Sequence, residues 1–228
     1  MKTYGIITGD VINSRRIDAV AREALYSEIQ SFLKTLKERG WIKKVEQSGG
    51  DSFQCEAAEI KYVLRIALMI KCFVKTKTQA NKFNRINDNN SINNSLRFAG
   101  VRVAVGIGTA DFIKRKLSES DGEAFILASE GLAELKTNFS ELALEANDKK
   151  LTKEIRPLIL LLDALIQKYF GGQAEVILNK LQNKKEDEVA NIMSISQPGV
   201  NQAARSAKWY AVETAVKHIE NKLIETYE

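Results

Sequence analysis

Apolar residues recur along the chain in two rhythms. Thr3-Tyr4-Gly5-Ile6-Ile7-Thr8-Gly9-Asp10 reads as a buried strand that stops at Asp10, and Val11 to Arg16 reads as a loop. Asp18 is placed to cap a helix whose Leu25, Ile29, Phe32, Leu33 and Leu36 share one face, and Gly40 ends it. Residues 42–48 and 52–57 alternate on either side of Gly49-Gly50. That is a hairpin pattern, because glycine takes positive φ without steric cost. Ile60, Val63, Leu64, Ala67, Leu68, Ile70 and Phe73 make a second helix, apolar over much of its surface and so deeply buried. Residues 76–96, rich in Asn and Lys, read as a solvated insertion. Val101, Val103, Val105 and Ile107 then alternate as a strand. Asp121-Gly122 opens a third helix carrying Phe125, Ala128, Leu132 and Leu135, and Leu142 and Leu144 mark a short strand.

The order β-α-β-β-α-β, then α-β, predicts an α+β fold of the ferredoxin-like kind with an extension. In such a sheet the first and third strands are antiparallel neighbours. The end of one, Asp10, then lies beside the start of the other, Asp51. Beyond this unit the pattern turns wholly helical. Pro157 is expected at the first position of an apolar helix running from Leu158 to Phe170, and Gly171-Gly172 is expected to mark a boundary. Three short helical patterns follow: Val176 to Leu181, Glu186 to Met193, and one capped by Ser196 that runs toward Lys208. The last two match a helix-turn-helix in which Ala190 is the small crossing residue, Ile192 and Ile195 are core, Ser194 makes the turn and Val200 anchors the next helix. An amphipathic helix from Trp209 to Tyr227 closes the chain. The expected division is an α+β domain over 1–150, a connecting helix over 151–172 and an all-α helix-turn-helix domain over 173–228.

Composition narrows the chemistry. The 228 residues are 44% hydrophobic and 28% charged, ordinary globular material, and no apolar run approaches the roughly 20 residues of a membrane span. Without a leader pattern at the N-terminus, the expected location is the cytoplasm. Cys55 and Cys72 sit in apolar patterns and read as reduced core thiols. One histidine, His218, leaves too few ligands for zinc and argues against histidine acid–base chemistry. Of the net charge of +5, residues 173–228 contribute seven Lys/Arg against eight Asp/Glu, or −1, so +6 lies in residues 1–172.

Two carboxylates converging at a sheet end repel unless a cation sits between them. Asp10 and Asp51 are therefore candidate ligands for Mg²⁺ or Mn²⁺, ions that take hard oxygens together with substrate phosphates. The following loop, Val11, Ile12, Asn13, Ser14, Arg15 and Arg16, with Gly49 and Gly50 of the turn, is the candidate nucleotide-binding segment. Its backbone N–H groups and two guanidinium groups suit phosphate oxygens. In the helical part, Gln197, Asn201, Gln202, Arg205 and Lys208 are the candidate contacts to double-stranded DNA.

These residues carry a family resemblance. Asp10, Gly50-Asp51 and Arg102-Val103-Ala104-Val105-Gly106 resemble the catalytic core of class III nucleotidyl cyclases. The Gly-Gly-Asp-Ser-Phe run is similar to GGDEF and CRISPR-polymerase palm domains. This resemblance covers residues 3 to about 146. It implies that the two aspartates hold metal ions that handle a nucleoside triphosphate. Aligned on Gly122, the cyclase Asn and Arg positions hold Ile126 and Glu130. Across nearly the whole chain, Gly9-Asp10-Val11-Ile12 with Ser14-Arg15, Gly50 to Gln54, Ser120 to Phe125 and Ile195-Ser196-Gln197 look like the SatD-like bacterial proteins. The expected function is a DNA-binding, transcription-regulating protein whose first domain senses a nucleotide. The alternatives are a metal-dependent cyclase or nucleotidyltransferase making a nucleotide signal, and a degenerate palm used only for dimerisation. A homodimer is expected by analogy.

Overall fold

The structure, a computed structural model, describes residues 2–48, 50–78, 96, 99–111, 116–138 and 140–227. Gly49 and all but the ends of the Asn-rich stretch lie outside the described residues.

The fold is α+β. Strands β1 (Thr3–Ile12), β2 (Ile42–Ser48), β3 (Ser52–Ala57), β4 (Gly100–Thr109) and β5 (Leu142–Ala146) form one sheet in the order β2-β3-β1-β4-β5. All neighbours are antiparallel except β4 and β5. Helix α1 (Ala19–Glu38) begins where expected, because the Asp18 carboxylate accepts the N–H groups of Val20 at 2.9 Å and Ala21 at 3.4 Å. Helix α2 is Val63–Thr78 and α3 is Glu123–Thr137. Alternation divides the sheet residues between two faces. Ile7, Val11, Phe53, Cys55, Val103 and Val105 join the large core with α1 and α2, while Ile6 meets Ala124, Phe125 and Ala128 of α3.

Several boundaries differ from those the sequence predicts. Strand β1 continues past Asp10 to Ile12, because Val11 and Ile12 find partners in Val101 and Gly100. A short 3-10 turn, Ser14–Arg16, replaces most of the expected loop. The second helix runs on to Thr78, two residues past the predicted start of the insertion at 76. Helix α4 is Lys149–Gln167, not a helix starting at Pro157. Asp148 caps it, accepting from Lys150 at 2.8 Å and Leu151 at 3.0 Å. The buried stripe Leu151, Ile155, Ile159, Leu162 and Ile166 passes straight through the proline. Burial of five large side chains outweighs the roughly 3 kcal/mol that an interior proline costs. Gly171 and Gly172 open α5 (Gly171–Leu181) and so are helical.

The remaining helices are α6 (Glu186–Met193), α7 (Gln197–Ser206) and α8 (Trp209–Tyr227). Ile177 and Leu181 of α5 and Val212, Val216, Ile219 and Leu223 of α8 belong to the same apolar core as the sheet. A buried ion pair crosses this junction. Arg65 of α2 donates from Nε at 2.6 Å and Nη2 at 2.9 Å to Glu220 of α8, and from Nη1 to the carbonyl of Leu181 at 3.0 Å and Asn183 Oδ1 at 3.1 Å. A second cluster ties α2 to the start of β5 and to α4. The ammonium of Lys71, 2% exposed, lies 2.8 Å from Glu141 Oε2 and 3.2 Å from Asp163 Oδ1, and donates to the carbonyl of Val101 at 3.3 Å. Among the described residues no helix is long and apolar enough to cross a membrane.

Candidate functional site

The backbone brings the two aspartates together. Asp10 is opposite Ser52 in the β1–β3 ladder, and the N–H of Val11 donates to the carbonyl of Asp51 at 3.1 Å. Gly50, at φ 81°, makes the turn that delivers Asp51 there. Gly9 has no room for a side chain, since a Cβ would lie 2.7 Å from the Arg102 carbonyl.

The two carboxylates have different neighbours. Asp10 is buried on the α3 side of the sheet, where its Oδ1 accepts from Arg102 Nη1 at 3.4 Å and its Oδ2 lies 3.3 Å from Lys136 Nζ. Asp51 lies on the α1 side, beside a small cleft with an apolar floor of Ile29, Leu33, Val45 and Phe53 and a rim of Tyr26, Gln30, Lys34 and Gln47. Its Oδ2 accepts from the Ser14 hydroxyl at 3.0 Å and its Oδ1 from Ser52 at 3.4 Å. Burial pushes the Tyr26 phenol up; the Ser14 hydroxyl opposes this and the Asp51 charge adds to it.

Both side chains offer hard oxygens, the donor type Mg²⁺ and Mn²⁺ take with phosphate. Among the described residues no group of three or more Asp, Glu, His or Cys is clustered for a metal. Asp10 and Asp51 are neighbours along the backbone but their carboxylates leave opposite faces of the sheet, so as they stand an ion would meet one of them and draw its other ligands from water and substrate. Asp10 also already faces two cations, so an ion at this point would have to displace Lys136, whose side chain is half-exposed.

Of the phosphate-binding candidates, Val11 and Ile12 are strand residues. The Val11 amide is taken by Asp51, and the Arg16 amide by the carbonyl of Asn13 at 2.8 Å. Asn13 is left-handed at φ 56°, which turns the chain into the 3-10 segment. Arg15 and Arg16 are exposed beside it. Arg102 and Lys136 have no assigned role in the sequence reading. Arg102 is legible in hindsight, because the β1–β4 register sets it directly opposite Asp10. Lys136 comes from the far end of α3 and carries no local signal.

The helical part places its candidate residues on one helix and its end. Ser194, at φ 53°, breaks α6, and Ser196 Oγ accepts from the Gly199 N–H at 3.2 Å to open α7. Val189, Ala190, Val200 and Ala204 pack together with Val176 of α5. Ile192 and Ile195 are not core as expected: they are 51% and 41% exposed. The inward stripe of this short helix is Val189 and Ala190, one turn earlier, and the left-handed break at Ser194 turns the following residues outward. Gln197, Asn201, Gln202, Arg205 and Lys208 are all exposed. Cys55 and Cys72 are free and buried, and burial pushes both thiols up to about 12, so neither is a nucleophile at neutral pH.

No family model and no curated protein matches the chain. Two solved structures of a bacterial light-regulated adenylyl cyclase align with it. One is 14% identical with a TM-score of 0.46, over 63% of this chain and 43% of that chain. The other is 15% identical with a TM-score of 0.47, over 63% and 75%. The chain thus spans less than half of the first of these.

Proposed function

We propose that the α+β part, read as a ferredoxin-like palm, binds a nucleoside triphosphate at the end of β1, as its resemblance to class III cyclases and palm domains implies. The observation that carries this is the ladder register that joins Gly9-Asp10 to Asp51-Ser52 and sets Ser14 against Asp51, with Arg15 and Arg16 exposed alongside. Arg15 and Arg16 hold the phosphates by charge-assisted hydrogen bonds, and Ser14 orients Asp51. Mg²⁺ or Mn²⁺ would be the companion ion: Asp51 would hold it, Asp10 would join only by turning away from Lys136 and Arg102, and the ion would neutralise phosphate charge. The chemistry is nucleotidyl transfer or cyclisation. Ile126 and Glu130 lack the donors that the cyclase Asn and Arg would supply, so a transfer running without them is slow. Binding of a fluorescent triphosphate is the test: Arg15→Ala and Arg16→Ala are each expected to weaken it roughly tenfold. Unchanged affinity in both variants contradicts this reading of the loop.

One observation favours a second reading, a nucleotide-sensing regulator that binds double-stranded DNA through a helix-turn-helix. The left-handed Ser194 between α6 and α7 leaves α7 with a mostly polar exposed face of Gln197, Asn201, Gln202 and Arg205, with Pro198 among them. In this reading α7 enters the major groove, and Arg205 and Lys208 meet phosphates. Arg205→Ala and Lys208→Ala should then weaken binding to any duplex, each lowering the salt dependence by about one ion. A chain that fails to retain duplex DNA even at low salt rules this out.

A further inference from the structure

Helices α7 and α8 meet at a corner made by Ala207 and Lys208. Lys208 is left-handed there, at φ 57°, a conformation that glycine takes freely and lysine does not. Its carbonyl opens α8 by accepting from the N–H groups of Ala211 at 3.0 Å and Val212 at 3.2 Å. The backbone alone calls for glycine at this point, so what the lysine adds is its side chain.

A cleft of ≈ 350 Å³ opens at the same corner, at the small end of the roughly 300–1,000 Å³ range of small-molecule sites. Its lining is mostly apolar, from Ala204 of α7 and Trp209, Tyr210 and Ala211 of α8. Trp209 is half-buried and packs against the core, whereas Tyr210 is 82% exposed. The two alanines are too short to fill the space beside the rings. Arg205 and Lys208 stand at this cleft, both exposed, and among the described residues neither side chain is in an ion pair. The carboxylate on the lining, Glu186, is already taken. Lys180 lies 3.3 Å from it, and it sits in the first turn of α6, where backbone N–H groups favour a negative charge. The cleft therefore offers two aromatic rings and two uncompensated positive charges.

A duplex phosphate would satisfy the cations and leave the apolar lining against water. A neutral apolar ligand would fill the cleft and leave the cations unpaired. A flat ring that carries an acidic group uses both features at once. We infer that this cleft is a binding site for a small planar aromatic acid, a carboxylate or a phosphate ester. The ring lies against Trp209 and Tyr210, Arg205 takes the acidic group through paired N–H donors, and Lys208 adds a point charge. The site stands independently of the nucleotide and DNA readings. Where the DNA reading also holds, ligand and duplex exclude one another, because both draw on Arg205 and Lys208. The cleft is then where a small molecule releases the chain from DNA.

The test is isothermal titration of the full chain with 1-naphthoate, with 1-naphthyl phosphate and with the uncharged 1-naphthalenemethanol. At least one acid is expected to bind one-to-one, about tenfold or more tighter than the alcohol. Arg205→Gln and Lys208→Gly are each expected to weaken that binding roughly tenfold, and Tyr210→Ala several-fold. All three positions are exposed, and glycine suits the left-handed backbone at 208, so circular dichroism should show folded variants. No binding of either acid overturns the proposal. So does an alcohol that binds as tightly as the acids. So does an affinity that Arg205→Gln and Lys208→Gly leave unchanged, which places the ligand elsewhere.

Discussion

Replacing Lys71 by Met is expected to destabilise the protein by about 3–5 kcal/mol, the cost of stripping the cation from a buried charge cluster. For a chain of this size that lowers the midpoint of thermal unfolding by on the order of 10 °C. The reason is the carboxylate left behind. Asp163 is 2% exposed and shares the Lys71 ammonium with Glu141. One Asp163 oxygen does have other bonds, from the Glu141 N–H at 2.7 Å and the Gln167 amide at 3.0 Å, but Oδ1 has no hydrogen-bond partner among the described residues and depends on Lys71. Methionine keeps most of the volume and removes only the charge. Adding Asp163→Leu to Lys71→Met should recover a large part of the loss, since an apolar replacement of a whole buried pair is often tolerated. A single variant as stable as the wild type in urea unfolding would mean that water reaches the cluster.

Gly106→Ala carries the second large effect. Gly106 is paired with Ile6 in the centre of the sheet, and α3 crosses directly over it. A Cβ at this position would collide with the Ala124 carbonyl and lie 2.5 Å from the Ala128 amide nitrogen. Both are helix backbone, so no side chain can rotate away and α3 must lift off the sheet. Overpacking of this kind costs typically about 1–3 kcal/mol, and the rigid neighbours place this site at the upper end or above it. The displacement also moves Lys136 at the far end of the same helix away from Asp10. Gly106→Ala should therefore unfold at lower denaturant and also change ligand response at the β1 end, whereas Lys71→Met should change stability alone.

What the sequence discloses follows from how local each signal is. Asp18 and Ser196 announce their helices because a cap acts within three residues. The hairpin at Gly50 and the alternation of Val101 to Ile107 are equally local. Their pairing follows from the order of elements, which is why the meeting of Asp10 with the Asp51 turn is legible. Pro157 misleads because a proline's cost is local while the stripe from Leu151 to Ile166 that overrides it is tertiary. Ile192 and Ile195 mislead for a related reason. Their spacing suits a core, but Ile192 falls off the inward stripe of Val189 and Ala190, and the left-handed Ser194 turns Ile195 outward. The buried ion pairs are harder still. Arg65 and Glu220 stand 155 residues apart, and neither position is marked by periodicity as facing the other. The same holds for Lys136, which changes the chemistry at Asp10 by bringing a positive charge where a metal is expected.

The proposed binding of a nucleoside triphosphate at the end of β1 is open to direct measurement. The most direct measurement is a thermal-shift panel with ATP, GTP, CTP and UTP, each with Mg²⁺, with Mn²⁺ and with chelator, on the wild type and on Asp10→Asn/Asp51→Asn. Binding there predicts a metal-dependent rise with at least one triphosphate, 1,000-fold saturation adding about 4 kcal/mol, and its loss in the double variant. No shift with any triphosphate, in a protein whose unfolding is otherwise cooperative, contradicts it.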